Sequence, residues 1–333
     1  MKYAVRIFTL ALLCFIIAGC QKQEPVKVGF LLHAFDKERW ENDRDYFVSK
    51  VEELGGTVAV MDAGNDAETQ LKQAQQLLSE GIDVLVVVPV DQFAAARIVE
   101  EAHSKNVKVI SYDRLILNSK IDFYVSTDNV EIGELQANYL TRIKPQGNYA
   151  LLGGARSDHN SQFLYLGQMN ILSPLVEKGD VKIVFNTFTE AWGEEEGYQL
   201  THELLKKSGQ KVDAVIAGND AIAAGVIRAL EEKKLAGNIL VAGMDADLRN
   251  LQEIVKGNQT CTIYKPLRKM AGTAAEIAVK LARGEEFERT LETTSNGELL
   301  VPSVLEDGVV VTRDNLKLTV VSEGYQKEED IFK

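Results

Sequence analysis

Short apolar runs alternate along the chain with segments whose apolar residues recur at helical spacing. Residues 84–88 form a continuous and mostly β-branched apolar run, which is typical of a strand buried on both faces. Residues 39–54 instead carry Trp40, Phe47 and Val51 at helical spacing and end at a pair of glycines, as a helix does. The alternation predicts parallel β-sheets whose strands are joined by helical crossovers.

The same alternation begins again near residue 129 and continues to a helix predicted over residues 266–282. The chain has 333 residues, about twice the length of a typical domain. Its hydrophobic residues, 45% of the total, suffice to fill two cores. The pattern therefore predicts two α/β domains, each built on a parallel sheet.

The N-terminus differs from the rest of the chain. Two basic residues precede an apolar run over 7–17, and an Ala-Gly pair precedes Cys20. The run is too short to span a bilayer comfortably and is typical of an export signal. Its ending is similar to a bacterial lipobox, which predicts a signal peptide over 1–19, lipidation of Cys20 and a polar tether over 20–25. An ordinary secretory peptide is the alternative.

Composition narrows the function. A net charge of −12 argues against nucleic acid as a partner. With three Cys and four His, a metal site is not expected, and the lone mature thiol, Cys261, is interpreted as core packing. Neither a nucleophile elbow nor a phosphate-binding loop is found, and no cofactor is expected. The pair Asp113 and Asp245 leaves a glycosidase open as an alternative.

Polar and aromatic side chains follow the predicted strands. Ligands of open α/β sheets bind beyond the carboxyl ends of the strands. Planar carboxylate, amide and guanidinium groups match the vicinal hydroxyls of a sugar, and indoles match its C–H faces. The candidate binding residues are Arg39, Trp40, Asp113, Arg114, Asn160, Trp192, Asn219, Asp245 and Lys265.

Each candidate also has a purely structural interpretation. Trp40 could be a core residue of its helix, and Asn219 could be the N-cap of the helix that follows it. The aspartates could terminate turns, and Lys265 could be solvated. His33 and His159 also follow strands, and we expect both on the surface of loops.

Several segments in collinear order are similar to a known family. The chain resembles the periplasmic sugar-binding proteins of ABC transporters, in the ribose, galactose and xylose group, over residues 26–333. The segments that carry the resemblance include Glu38-Arg39-Trp40, Tyr112-Asp113-Arg114, Gly218-Asn219-Asp220-Ala221, Asp245-Ala246-Asp247-Leu248 and Tyr264-Lys265-Pro266.

The resemblance implies two Rossmann-like lobes joined by three crossovers, with a sugar held between them by the nine candidates. The implied N-terminal lobe is 26–126 plus 267–300, and the implied C-terminal lobe is 127–266 plus 301–333, with the third crossover near 300–303. Similarity to the xylose-binding members implies D-xylose as ligand and a non-enzymatic, monomeric receptor for a membrane permease. The lipid anchor is expected from the lipobox alone, in which the chain differs from the freely diffusing relatives. A sensor kinase as partner, another monosaccharide (ribose, arabinose or glucose) as ligand, and an enzyme acting on sugar are the alternatives.

Overall fold

The computed structural model describes residues 24–35, 38–209, 211–287 and 292–333. The predicted signal peptide 1–19, the lipidation site Cys20 and most of the tether lie outside the described residues.

The described strands are β1 (Lys27–Leu32), β2 (Thr57–Asp62), β3 (Val84–Val87), β4 (Lys108–Tyr112), β5 (Phe123–Thr127), β6 (Gly147–Ala155), β7 (Val181–Thr189), β8 (Ala214–Ala217), β9 (Leu240–Met244), β10 (Cys261–Tyr264), β11 (Glu292–Ser295), β12 (Leu300–Glu306) and β13 (Val309–Val311). The described α-helices are α1 (Glu38–Glu53), α2 (Ala67–Ser79), α3 (Ala96–Ser104), α4 (Asn129–Ile143), α5 (Asn160–Glu177), α6 (Glu194–Ser208), α7 (Asp220–Glu232), α8 (Leu248–Lys256), α9 (Leu267–Arg283) and α10 (Glu328–Ile331).

The first lobe is built on a sheet with strand order β11-β12-β5-β4-β3-β1-β2. Its strands pair in parallel except β11, which runs antiparallel to β12. Helices α1 and α9 cover one face of this sheet, and α2 and α3 cover the other. The strands read as continuous apolar runs because both faces are buried.

The second lobe is built on a sheet with strand order β13-β10-β9-β8-β6-β7. Again the pairing is parallel, except for the short edge strand β13. Helices α4 and α5 lie on one face, and α6 and α7 on the other. The two α/β lobes with mostly parallel sheets confirm the predicted fold class.

The chain crosses between the lobes at three places in the described residues: after β5, after β10 and after β12. The third crossing follows Glu306, and not 300–303 as expected, because β12 pairs with β5 as far as the partners Glu306 and Thr127. Residues 301–306 therefore belong to the first sheet. Pro302 lies opposite Thr293 of the short strand β11, one residue before Ser303, where the pairing of β12 with β5 begins.

Candidate functional site

Four of the candidate residues lie just beyond the carboxyl ends of strands in the first lobe. Arg39 and Trp40 lie in the first turn of α1, just beyond β1, and Asp113 and Arg114 directly follow β4. Asp113 has φ of 58°, a left-handed conformation that is uncommon for a residue other than glycine. Its carbonyl accepts hydrogen bonds from the hydroxyls of Tyr124, at 3.1 Å, and Ser126, at 2.7 Å. Those bonds hold the strained turn at the strand end.

The other five candidates lie just beyond the carboxyl ends of strands in the second lobe. Asn160 begins α5 after β6, Trp192 follows β7, Asn219 caps α7 after β8, and Asp245 and Lys265 directly follow β9 and β10. In each lobe the parallel strands bring these residues to one edge of the sheet. The two edges face each other.

All nine candidates line one cavity of about 280 Å³ between the lobes. This volume is near the lower limit for small-molecule sites, roughly 300 Å³. The structure therefore brings together the residues that the strand-end pattern selected. Apart from Arg114, each of the nine is less than a tenth exposed.

Arg39 is the centre of the cavity's charge. Its guanidinium nitrogens lie 2.8 Å from Asp113 Oδ2, 3.2 Å from Asp43 Oδ2 and 3.2 Å from Asp245 Oδ1. Lys265 Nζ adds a second cation 3.5 Å from Asp113 Oδ2. Burial tends to lower the pKa of Arg39, but the three carboxylates outweigh it and raise that pKa above its ordinary value. Arg39 is therefore a fixed cation with directed N–H groups.

Two of the three carboxylates beside Arg39, those of Asp113 and Asp43, have pKa values shifted in opposite directions. Burial alone would raise the pKa of Asp113, but the cations Arg39 and Lys265 outweigh it and hold that pKa well below its usual range. At Asp43 burial dominates over the attraction of Arg39 and raises the pKa to about 6, although the Tyr112 hydroxyl also donates to its carboxylate. Asp113 is thus an ionised acceptor at the cavity wall, and Asp43 supports Arg39 from behind.

Asp245 lies in a loop that the second lobe holds firmly. Asp245 and Ala246 have φ of 100° and 57°, so two successive residues are left-handed. The buried carboxylate of Asp220 accepts from the backbone N–H of Asp247 at 3.0 Å and from the hydroxyl of Thr262 at 2.9 Å. Burial, followed by the nearby charge of Asp247, raises the pKa of Asp220. This network fixes the carboxylate of Asp245 towards Arg39.

The two indoles are held in different ways. Trp40 packs in the core of the first lobe, beneath the guanidinium of Arg39 at 4.1 Å. Trp40 is therefore a core residue that also lines the cavity. Trp192 has φ of 56°, and its ring packs against Gly154. A Cβ added at Gly154 would lie 2.1 Å from the indole, so only glycine leaves room for the ring there.

The two asparagines have hydrogen bonds that limit what they can offer a ligand. Asn219 Oδ1 accepts from the backbone N–H of Ile222 at 2.9 Å, so the residue caps α7 while it lines the cavity. Within the described residues, the NH₂ group of Asn219 donates no hydrogen bond, which leaves it available to a ligand. Asn160 donates to the Asp113 carbonyl at 3.1 Å across the lobes and accepts from Asn129 at 3.1 Å. Asn160 therefore joins the two walls of the cavity.

Among the cavity-wall residues that were not predicted as binding residues, His33 and Asp158 contact predicted ones. His33 is 1% exposed and contacts Arg114 and Trp40, so the expectation of a surface loop is wrong for it. Asp158 forms an ion pair with Arg114, at 3.0 Å between Oδ2 and Nε. Both follow strands, so strand-end position was the signal that could have found them. His159 is half-buried against Phe163 and does not line the cavity.

Among the residues that the structure describes, no group of three or more His, Cys, Asp or Glu side chains could hold a metal ion. In the same part of the chain, no helix has the length and apolar character needed to cross a membrane. Cys261 is buried in the core of the second lobe, where burial raises the pKa of its thiol. It packs as the sequence predicted.

Comparison with known proteins identifies the fold. Residues 28–286 match the family model described as periplasmic binding protein domain. The chain belongs to this family. It is 39% identical to the D-xylose-binding periplasmic protein of Haemophilus influenzae over all of both chains, and 41% identical to that of Escherichia coli over 92% of this chain and 93% of the other. These matches confirm the family resemblance.

A solved structure is similar over most of the chain. The carbohydrate transporter solute-binding protein from Chloroflexus aurantiacus, in complex with D-glucose, superposes with a TM-score of 0.87 at 28% identity. The superposition covers 92% of this chain and 98% of that one. Periplasmic binding proteins are solute receptors and not enzymes, so membership of the family disfavours a glycosidase.

Proposed function

We propose that this protein is a lipid-anchored receptor that encloses D-xylose between its lobes and delivers it to an ABC permease. The observation that carries the proposal is the cavity between the lobes. Two indoles and a set of charged and amide side chains line this cavity, whose volume is about 280 Å³. Hydroxyls of a neutral sugar can accept from Arg39 and Lys265 and donate to Asp113 and Asp245.

The energetics suit a monosaccharide. A pentose has about ten non-hydrogen atoms, so micromolar binding at about −8.2 kcal/mol requires about −0.8 kcal/mol per atom. The ceiling for very small ligands is about −1.5 kcal/mol per atom. Hydrogen bonds to charged groups contribute roughly 1.5–3 kcal/mol each when they are shielded from water. Closure of the lobes supplies that shielding and favours the closed state in the presence of ligand.

Three observations bear on which sugar is bound. The relatives at 39% and 41% identity are D-xylose-binding proteins, which supports xylose. The solved structure at 28% identity holds D-glucose, which makes glucose the second candidate. The small cavity favours the pentose, because a hexose adds a hydroxymethyl group that must find space in the same chamber.

Calorimetric titration of the purified mature protein with xylose, ribose, arabinose, glucose and galactose tests the ligand. We expect xylose to bind most tightly. Tighter binding of glucose or another member of the panel would contradict the assignment to xylose, and absence of binding to all five would contradict a sugar receptor.

The anchor and the partner need separate tests in cells. A Cys20→Ser variant should move from the membrane fraction to the soluble periplasmic fraction, whereas a Cys261→Ser variant should stay with the membrane. Deletion of the gene should abolish high-affinity uptake of labelled xylose if the partner is a permease. Unchanged uptake with a lost transcriptional response to xylose would instead support a sensor kinase as partner.

A further inference from the structure

His33 stands at the end of β1, on the wall of the proposed sugar cavity. Its ring is buried and meets the indole of Trp40 edge-on, with 4.5 Å between ring centroids and an interplanar angle of 75°. Its Nε2 lies 3.2 Å from Nη2 of Arg114. Both partners belong to the first lobe, so these contacts do not depend on closure of the lobes.

The chemistry of this pair fixes the form of the histidine. A guanidinium has N–H donors and no acceptor, so Nε2 of His33 must accept the hydrogen bond from Arg114. The imidazole is therefore neutral, with its proton on Nδ1. A protonated His33 would place a second cation against the guanidinium of Arg114. Its Nε2 would carry a proton and have no lone pair to accept the N–H of Arg114.

Arg114 is oriented from three sides. Nη1 donates to the carbonyl of Pro89 at 3.3 Å, Nη2 donates to His33, and Nε lies 3.0 Å from Oδ2 of Asp158. The first two contacts lie within the first lobe, whereas Asp158 comes from the second lobe. On the first lobe itself, His33 Nε2 accepts a hydrogen bond from the guanidinium and the centroid of the Trp40 ring lies 5.7 Å from Cζ of Arg114, and neither contact depends on Asp158.

We propose that His33 is a positioning residue, which presets the guanidinium of Arg114 for the ligand and for the ion pair with Asp158. The proposal rests on the proposed function, because it assigns His33 a part in binding a pentose in this cavity. It goes beyond that function, since His33 acts through Arg114 and not as a further contact to the sugar.

A double-mutant cycle measured by calorimetry with D-xylose tests the proposal. We expect His33→Leu to weaken binding at least tenfold and His33→Gln to stay within about threefold, because a glutamine Oε1 can accept from Arg114 in place of Nε2. In an Arg114→Met background, His33→Leu should cost less than threefold. An equal cost in both backgrounds, or a glutamine variant as weak as the leucine variant, would overturn the proposal.

A second readout needs no sugar. In ¹⁵N spectra of the ligand-free protein, Nε2 of His33 should appear as an unprotonated acceptor and should shift in the Arg114→Met variant. His103→Gln, in the same lobe but paired with Asp122 away from the cavity, is the matched control and should leave both readouts unchanged. An Nε2 insensitive to Arg114 would refute the positioning role even if no pentose binds, whereas failure of xylose alone would refute only the proposed ligand.

Discussion

Nη1 of Arg39 on the first lobe lies 3.2 Å from Oδ1 of Asp245 on the second lobe. Both side chains are buried, and each has a further charged partner on its own side of the cleft, Asp43 for Arg39 and Lys265 for Asp245. Because one partner stands on each lobe, the pair can form only when the lobes are together. The pair therefore couples the binding wall to the closed arrangement.

Asp245→Asn tests this coupling. Removal of one charge from a buried ion pair costs ~3–5 kcal/mol, because the remaining charge loses its partner. Since Arg39 keeps Asp43 and Asp113, we expect a smaller effect, a loss of xylose affinity of about 10- to 100-fold or about 1.4–2.8 kcal/mol. X-ray scattering with saturating xylose should also show a larger radius of gyration than wild type. The exposed substitution Asp314→Asn should change neither quantity, and an unaltered affinity in Asp245→Asn would refute the coupling.

Trp192→Ala should lower xylose affinity at least roughly tenfold, about 1.4 kcal/mol, because the sugar loses an aromatic face. Calorimetry gives the affinity, and circular dichroism checks that the variant is folded. Phe332→Ala, which removes a ring that is 43% exposed, is the control. Wild-type affinity in Trp192→Ala would remove this indole from the site.

Gly154→Ala should weaken xylose binding although it replaces no residue whose side chain is proposed to touch the sugar. The new methyl group would lie 2.1 Å from the ring of Trp192, so the indole must move. Gly272→Ala is the matched control, since nothing lies within 4 Å of a Cβ there and the position is helical. We expect that control to bind normally and to gain up to about 1 kcal/mol of stability. Normal xylose binding by Gly154→Ala would show that the indole position is not critical.

Asp43 should make stability depend on pH. Its pKa is raised to about 6 by burial, against 3.8 as the ordinary value. A carboxyl whose folded pKa is raised stabilises the fold below pH ~4 and loses that contribution as pH rises through ~6. The free energy of unfolding of wild type relative to Asp43→Asn should therefore fall between pH 4 and 6, by about 3 kcal/mol at ~1.4 kcal/mol per pKa unit. Urea titrations at several pH values measure it, and a difference that does not vary with pH would contradict this assignment.

Ligands of open α/β sheets bind beyond the carboxyl ends of the strands, and this rule explains why so much of the site could be predicted from the sequence. Parallel strands carry local signals, and their carboxyl ends meet at one sheet edge, so Asp113 and Asp245 could be placed together without any knowledge of their partners. His33 carries the same strand-end signal, but the sequence does not show its burial. That burial depends on tertiary contacts with Trp40 and Arg114.

The C-terminal part of the first sheet was less predictable. Strand β11 is short and polar, and β12 contains Pro302, so neither segment has the apolar pattern of the other strands. Their assignment depends on long-range pairing of β12 with β5, which is more than 170 residues earlier in the chain. Sequence periodicity does not contain that pairing. The family resemblance placed the third crossover near 300–303, before β12 ends at Glu306.

The most direct measurement is a crystal structure of the mature protein grown with D-xylose. We predict one pentose between Trp40 and Trp192, with its hydroxyls hydrogen-bonded to Asp113, Asp245 and Asn219. A sugar bound elsewhere on the surface, or a cleft that excludes xylose at concentrations that saturate the protein in solution, would contradict the account.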